Sequence, residues 1–172
     1  NKGAEDFKID ITDNLEKQDW KPFILSKKEV LIGGLTFLKN WIIRSETSNA
    51  LDKLFVRNIS TNIEQELIFS DETIYVPGVS LTQRDRDTDE IYIGYSSPKT
   101  PSRVYKYNLS NKSKILVKEQ EIPSGHDPEN YIVERVEFKS HDGRLVPLTI
   151  TRHKKTKTCL LYTSPSPRDT PI

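Results

Sequence analysis

Short stretches of alternating apolar and polar residues are the main pattern of this chain. In one stretch, Phe55, Arg57 and Ile59 fall on one side of an extended backbone, while Val56 and Asn58 fall on the other. The apolar positions are rich in Ile, Val, Leu, Phe and Tyr, which are residue types that favour strands. Polar turns separate these short apolar bursts, so the pattern predicts many short strands.

Three hexapeptides repeat one pattern along the chain. FKIDIT begins at Phe7, FVRNIS at Phe55 and YKYNLS at Tyr105, so the starts are 48 and 50 residues apart. The last two copies extend without gaps, with residues 40–43 aligned on residues 90–93. A strand-rich unit of about 50 residues has the size of a four-stranded propeller blade. Chance similarity among the strands of a β-sandwich is the alternative.

We therefore expect residues 1–118 to be the C-terminal blades of a β-propeller. One blade ends within residues 8–26, and two complete blades follow. The predicted strands are 30–38, 41–45, 53–59 and 64–69 in the second blade and 74–81, 90–96, 103–109 and 113–118 in the third. Gly33 and Gly34 interrupt an apolar run, which indicates a bulge or a close backbone approach. The charged run at 84–87 predicts a solvated loop, with a salt-bridge patch to another domain as the alternative.

The repeat stops after residue 118. Residues 119–130 are rich in Pro, Gly and Asp and are predicted to be a linker. A second unit begins at residues 131–158, where alternating apolar positions predict a hairpin. Asp142 and Gly143 supply the positive φ angles that a tight hairpin turn needs. Pro147 cannot donate a ladder hydrogen bond, so we expect it at a sheet edge or with its nitrogen facing outward.

The composition is typical of a soluble chain without a nucleic-acid or membrane partner. Charged residues make up 30% of the 172, and the formal net charge is +1, so no strong field favours either partner. No apolar run approaches the ~18 residues that span a bilayer. The single cysteine is Cys159, so residues 1–158 contain none, which excludes a disulfide or a cysteine-based metal site there and favours a reducing, cytoplasmic compartment. We expect neither a metal site nor a cofactor.

Residues 159–172 differ from the rest of the chain. Residues 159–169 read CLLYTSPSPRD, which matches a one-frame translation of the adapter used in transposase-based sequencing libraries. A natural Ser/Pro-rich tail is the alternative. We expect residues 159–172 to be a non-native tail without regular structure. Because the sequence also contains no methionine, we expect the chain to be a gene fragment without either natural end.

Two segments resemble the prolyl oligopeptidase family of serine peptidases. IYIGYSSPKTPSRVYKYNLS, at 91–110, is similar to the last propeller blade of that family. KEQEIPSGHDPENYIVERVEFKSHDGRLVPLTI, at 118–150, is similar to the segment that opens its α/β-hydrolase domain. The matching positions in the second segment are Asp127, Pro128, Tyr131, Glu134, Arg135, Asp142, Gly143, Val146, Pro147 and Leu148. Residues 149–153 depart from the family, because TITRH replaces a more apolar strand.

The resemblance implies an all-β chain that contains the last propeller blades and, at 131–158, the first hairpin of an α/β-hydrolase domain. The pair Glu134 and Arg135 is similar to the oligopeptidase B branch, which cleaves short peptides after Lys or Arg. In that family the propeller covers the active site, so short peptides are the expected substrates and the missing hydrolase domain is the expected partner. A prolyl endopeptidase branch, a low-activity relative and a non-catalytic propeller scaffold are the alternatives.

The family's chemistry implies a Ser-His-Asp triad with the serine on a G-x-S-x-G turn. No such turn occurs in this sequence, so we expect the chain to contain no catalytic residue and the triad to lie downstream. The three histidines, His126, His141 and His153, are expected to be loop or surface residues.

Overall fold

The computed structural model describes residues 3–68, 70–80 and 86–156. These residues form strands joined by turns, with one short 3-10 helix at Pro128–Asn130. The strands are β1 (Ile9–Ile11), β2 (Lys21–Ile24), β3 (Val30–Phe37), β4 (Trp41–Ser48), β5 (Leu51–Asn58), β6 (Glu64–Glu66), β7 (Val76–Ser80), β8 (Glu90–Ser96), β9 (Arg103–Asn108), β10 (Lys114–Glu119), β11 (Tyr131–Lys139) and β12 (Leu145–His153).

The strands form antiparallel sheets in chain order. The first sheet is β1–β2, the second is β3–β4–β5–β6, the third is β7–β8–β9–β10, and β11–β12 is a separate hairpin. Each strand of a four-stranded sheet pairs with the next strand in sequence, as in a propeller blade. The predicted all-β chain with a partial propeller of four-stranded antiparallel sheets is confirmed.

The strands of both blades lie within three residues of their predicted bounds. The strands exceed their predicted lengths most at the β4–β5 connection, where both continue until Ser48 pairs with Leu51. Asn49 and Ala50 between them have φ angles of 48° and 54°, which gives a two-residue turn of type I′. The sequence signal for that turn is weak because Ala replaces the usual Gly at the second position.

The repeat is confirmed for the second and third sheets. Asn58 and Asn108 end β5 and β9, and the side-chain oxygen of each accepts hydrogen bonds from the amides two and three residues ahead, all at 3.0 Å. The gapless extension is wrong by one residue, because Asn58 pairs with Trp41 whereas Asn108 pairs with Glu90. Trp41 lies 17 residues before Asn58, whereas Glu90 lies 18 residues before Asn108, so the β8–β9 hairpin contains one residue more between its equivalent paired positions.

The first hexapeptide follows the repeat less closely. Phe7 lies before β1 at a φ of 67°, whereas Phe55 and Tyr105 lie within β5 and β9. Asn14, rather than Asp10, accepts the turn hydrogen bonds, from the amides of Glu16 and Lys17 at 2.9 and 3.3 Å. The β1–β2 connection is therefore a longer loop than those that follow β5 and β9.

The interior lies between the second and third sheets. Ile43 and Ile91 are each 1% exposed, and Ile93 is fully buried. Alternating side chains of each sheet face the other sheet, so one apolar layer holds the pair together. The buried residues of this layer are Leu38, Ile43, Leu54, Val56, Leu67, Ile91, Ile93, Tyr95, Tyr107 and Leu109.

Gly33 and Gly34 lie at a register shift in β3, as predicted for a bulge. The hydroxyl of Ser45 on β4 accepts a hydrogen bond of 2.8 Å from the amide of Gly34. A Cβ atom on Gly33 would lie 2.5 Å from the same oxygen. The close backbone approach expected from the sequence is therefore present.

The face of the second sheet that points away from the third carries a buried ion cluster. Arg44, 2% exposed, binds Glu46 at 2.8 Å and Glu64 at 2.8 Å. Arg57 also binds Glu64, at 3.0 Å, and its guanidinium lies 4.7 Å from the ring centre of Phe23 on β2. This cluster therefore connects the first sheet to the second.

Ion pairing sets the ionisation of this cluster. Burial alone would lower the pKa of Arg44, but the hydrogen bond and charge of Glu64, with the contribution of Glu46, raise it above its ordinary value. The hydrogen bond from Arg44 is the largest effect on Glu64, and with Arg57 it outweighs burial and lowers the pKa of that carboxyl. Both groups are therefore charged at neutral pH.

Polar contacts at one end join the second and third sheets. Trp41 donates its ring N–H to Asp89 at 2.7 Å, and the hydroxyl of Ser110 donates to the other Asp89 oxygen. These two hydrogen bonds, with Ser110 the larger, lower the pKa of Asp89. In the charged run at 84–87, Asp87 pairs with Lys39 of the β3–β4 turn at 2.7 Å and both remain exposed, while residues 84 and 85 lie outside the described residues.

The predicted hairpin is present, but its turn differs from the prediction. The strands pair from Tyr131 with His153 to Lys139 with Leu145. A five-residue connection replaces the tight two-residue turn, and Gly143 is its only position at positive φ, 84°. The amide of Gly143 donates to the carbonyl of Ser140 at 2.9 Å, which gives a four-residue turn followed by a bulge. The predicted tail at 159–172 lies outside the described residues.

Candidate functional site at the junction of the sheets and the hairpin

A cleft of about 570 Å³ lies where the hairpin meets the sheets. Three segments form its walls: the β6–β7 connection, the β8–β9 loop, and β11 with the short helix before it. Its lining is mainly polar and carries both signs of charge. The lining residues are Ser70, Asp71, Glu72, Thr73, Ile74, Lys99, Glu129, Val133 and Arg135.

The sheet side of the cleft is held by a network of hydrogen bonds. Thr100, 4% exposed, donates its hydroxyl hydrogen to Glu72 at 2.6 Å, and Tyr95 donates to Ser70 at 2.9 Å. Burial alone would raise the pKa of Glu72, but hydrogen bonds from Ser97 and Thr100 and the charge of Lys99 lower it. Burial is the main cause that raises the pKa of Tyr95 to about 12, so Tyr95 remains neutral.

The β8–β9 loop presents Lys99 to the cleft. The hydroxyl of Ser97 accepts hydrogen bonds from the amides of Lys99 and Thr100 at 3.2 and 2.9 Å. These bonds fold the loop tightly and hold the backbone of Lys99 in place. Its ammonium lies 3.7 Å from the carboxylate of Glu129 across the cleft.

The segment predicted to be a linker is ordered against the same loop. His126 lies with its Nε2 atom 2.7 Å from the carbonyl oxygen of Lys99, and its ring stacks on Tyr131 with centroids 5.1 Å apart. Asp127 caps the short helix by accepting the amide hydrogen of Glu129 at 3.0 Å. The chain therefore enters β11 from a position fixed on the third sheet.

Arg135 extends from the hairpin to the second sheet. Its guanidinium donates a hydrogen bond to the carbonyl oxygen of Asn49 in the β4–β5 turn, 86 residues away in sequence. Glu134, on the other face of β11, pairs with Arg152 of β12 at 3.6 Å. The two residues of the Glu-Arg pair therefore act on opposite faces of the hairpin. The sequence pattern marked the pair but did not reveal the contact with Asn49.

The remaining histidines lie in the hairpin. His141 is exposed in the turn, 3.3 Å from the hydroxyl of Ser140, and His153 lies edge-on to Tyr131 near the end of β12. Over residues 3–68, 70–80 and 86–156, His, Asp and Glu side chains form no cluster of three or more that could hold a metal ion. The junction can bind and orient groups by hydrogen bonds and charge.

Comparison with known proteins identifies the sheets. The family model described as the N-terminal β-propeller domain of prolyl oligopeptidase matches residues 1–120. The chain belongs to the prolyl oligopeptidase family. Its relatives are peptidases that carry this propeller, so the resemblance seen in the sequence is confirmed at the level of the family.

One curated relative in this family is dipeptidyl aminopeptidase BI of Pseudoxanthomonas mexicana, 30% identical over 155 residues. The match covers 88% of this chain and 21% of the relative. The chain thus spans about a fifth of the length of that prolyl oligopeptidase family member.

Solved structures of the family share the fold. Oligopeptidase B from Trypanosoma brucei, in a closed form with covalently bound antipain, aligns with a TM-score of 0.74 and 21% identity over 83% of this chain and 21% of that one. Prolyl oligopeptidase B from Galerina marginata, with a 35-residue substrate, aligns with a TM-score of 0.73 and 19% identity. The alignment covers 90% of this chain and 21% of that one. In the part of this chain that the structure describes, no helix is long and apolar enough to cross a membrane.

Proposed function

We propose that this chain is part of a serine oligopeptidase that cleaves short peptides after Lys or Arg. In this proposal, residues 1–118 are the last propeller blades, 119–130 the linker, and 131–158 the start of the α/β-hydrolase domain, with 159–172 a non-native tail. The catalytic triad belongs to the part of the parent enzyme beyond this chain. The parent acts in the cytoplasm, and its propeller admits short peptides.

The outward face of the hairpin carries this proposal. Phe138 is 68% exposed and Leu148 is 50% exposed, and their neighbours on the same face are also apolar. Apolar side chains aligned on one face of a two-stranded hairpin are typical of a surface that packs against further structure. The apolar residues of this face are Val136, Phe138, Val146, Leu148 and Ile150. The hairpin also lies after the segment that matches the propeller domain.

The preference for Lys or Arg is supported by the resemblance of the Glu134–Arg135 segment to the oligopeptidase B branch. A second activity is favoured by a separate observation, the 30% identity to dipeptidyl aminopeptidase BI. The name of that enzyme describes removal of dipeptides from an amino terminus. The size limit on substrates is supported by the propeller, which would stand over the catalytic domain.

The test is to complete the gene, express the parent enzyme and compare fluorogenic peptides with Arg, Lys or Pro before the cleaved bond. Each peptide is prepared with a free and with a blocked amino terminus. We expect cleavage of blocked peptides after Arg and Lys, no cleavage of a stable folded protein, and no cleavage by the present chain alone. A preference for Pro would assign the parent to the prolyl endopeptidase branch. Cleavage only of free amino termini would favour the dipeptidyl aminopeptidase activity.

A further inference from the structure

We propose that Arg135 is a positioning residue that fixes the hairpin across the seam between the second and third sheets. The hairpin leads into whatever follows β12, so its angle on the sheets sets the orientation of that part. This significance rests on the proposed function, in which the hairpin opens the hydrolase domain.

The hairpin is attached to two sheets at once. His126 and Lys99 tie the start of β11 to the third sheet, through the 2.7 Å contact of the His126 ring with the Lys99 carbonyl. Arg135, four residues further along than Tyr131, binds the Asn49 carbonyl of the second sheet. Two attachment points on different sheets restrict rotation about the connector, whereas one point alone would leave the hairpin free to swing.

The conformation of the turn at Asn49 leaves its carbonyl oxygen able to accept this hydrogen bond. Asn49 and Ala50 both have positive φ, and Ser48 pairs directly with Leu51. In such a two-residue turn the carbonyl of the first turn residue takes no part in the strand ladder, so its lone pairs are available. A guanidinium donates to that carbonyl as a charge-assisted hydrogen bond, which is stronger than a neutral one.

Because a cleft separates the hairpin from the sheets, the Arg135 contact matters for the position of the hairpin. The cleft of about 570 Å³ separates β11 from the β6–β7 connection, and its lining is polar. Polar interfaces of this kind permit relative motion of the parts that they join, because little apolar surface is buried. The other bridge, Lys99 with Glu129, is weak because the Glu129 side chain is 78% exposed. Arg135 therefore supplies a charge-assisted contact from the middle of β11 to the second sheet.

The test measures hairpin position directly in the whole chain. Spin labels are placed on Ser60→Cys in the second sheet and His141→Cys at the hairpin tip, in a Cys159→Ser background. A second pair, Ser60→Cys and Ser113→Cys, reports on the two sheets alone. Each pair is measured by pulsed electron spin resonance with Arg135 intact, with Arg135→Ala, and with the control Arg144→Ala in the exposed hairpin turn.

We expect Arg135→Ala to broaden the distance distribution of the hairpin pair and to add longer distances, while the pair within the sheets stays unchanged. Arg144→Ala should leave both distributions as they are. Superimposable hairpin distributions with and without Arg135 would overturn the proposal. So would an equal change in the pair within the sheets, because Arg135 would then support the sheets themselves. Neither readout requires peptidase activity, so this result is independent of the test of the proposed function.

Discussion

Arg44 pairs with two carboxylates of the second sheet, Glu46 and Glu64. Glu46 is 4% exposed, and its contacts with Arg44 and Lys27 compensate its buried charge. Removing one partner of a buried ion pair leaves an uncompensated charge, which costs more than the pair contributes.

We expect Arg44→Ala to lower the free energy of unfolding by about 3 kcal/mol, because Glu46 and Glu64 lose their principal cation. Urea denaturation followed by tryptophan fluorescence measures this change. The matched control is Arg144→Ala, an arginine with an 86% exposed side chain, which should change stability by less than about 0.5 kcal/mol. A loss below about 1 kcal/mol for Arg44→Ala would contradict the role of the cluster.

Glu64 gives the cluster a pH dependence with a definite sign. The hydrogen bond from Arg44 lowers the pKa of Glu64 from its ordinary value of 4.5, so the folded state binds this proton less readily than the unfolded state. Its contribution to stability is fully present above that ordinary value and is lost as the pH falls through the lower, folded-state pKa.

We therefore expect the unfolding midpoint in urea to fall as the pH is lowered below about 4.5, and Glu64→Gln to make that fall shallower. The control is Glu129→Gln, which also removes one carboxylate, but at an exposed position outside the cluster. Equal slopes for Glu64→Gln and the parent chain would show that this carboxyl is not linked to folding.

The sequence could not have revealed these buried ions. Alternation along β4 predicts that residues 42, 44 and 46 share a face, and the charges on it indicate a solvated side. Arg44 and Glu46 are buried instead, and Lys27 of the β2–β3 turn and Phe23 of β2 lie against this face, in contact with Glu46 and Arg57. Tertiary packing decides which polar positions lose water, and a pattern of residue types carries little information about it.

At the scale of elements, the alternation of apolar and polar residues and the turn residues predicted where the strands lie. The pairing register between strands was predicted less well, because it depends on the lengths of the connections. The Asx turns after Asn58 and Asn108 are local, so the sequence located them well. The one-residue difference between the paired positions of the β4–β5 and β8–β9 hairpins is also local, but the gapless comparison concealed it. The contact of Arg135 with Asn49 spans 86 residues and had no local signal.

The bulge in β3 provides a matched pair of substitutions. We expect Gly33→Ala to destabilise the chain by about 1–2 kcal/mol, because its Cβ would displace the Ser45 hydroxyl that accepts from the Gly34 amide. Gly34→Ala is the control, since its Cβ would lie 3.8 Å from the same oxygen, an ordinary contact. Thermal unfolding of both variants measures the difference. Equal melting temperatures would refute the close approach.

At the scale of the whole molecule, the apolar layer between the second and third sheets contrasts with the uncovered face of the hairpin. A sheet covers this layer on each side, and Ile43 and Ile93 are therefore buried. The hairpin face has no cover among the described residues, and Phe138 remains 68% exposed. The chain spans about a fifth of its relatives, and the proposed hydrolase domain would supply the missing cover.

We expect the isolated chain to bind the dye 1-anilinonaphthalene-8-sulfonate and to associate with itself, because an aligned apolar face is open to water. The double variant Phe138→Ser and Leu148→Ser should reduce both dye fluorescence and the sedimentation coefficient. Leu15→Ser is the control, because Leu15 is 76% exposed but lies in the β1–β2 loop, away from this face. If the control reduced both signals as much as the double variant, the hairpin face would not be the open surface. If the double variant changed neither signal, that face would need no cover, and the argument for a further domain packed on it would fail.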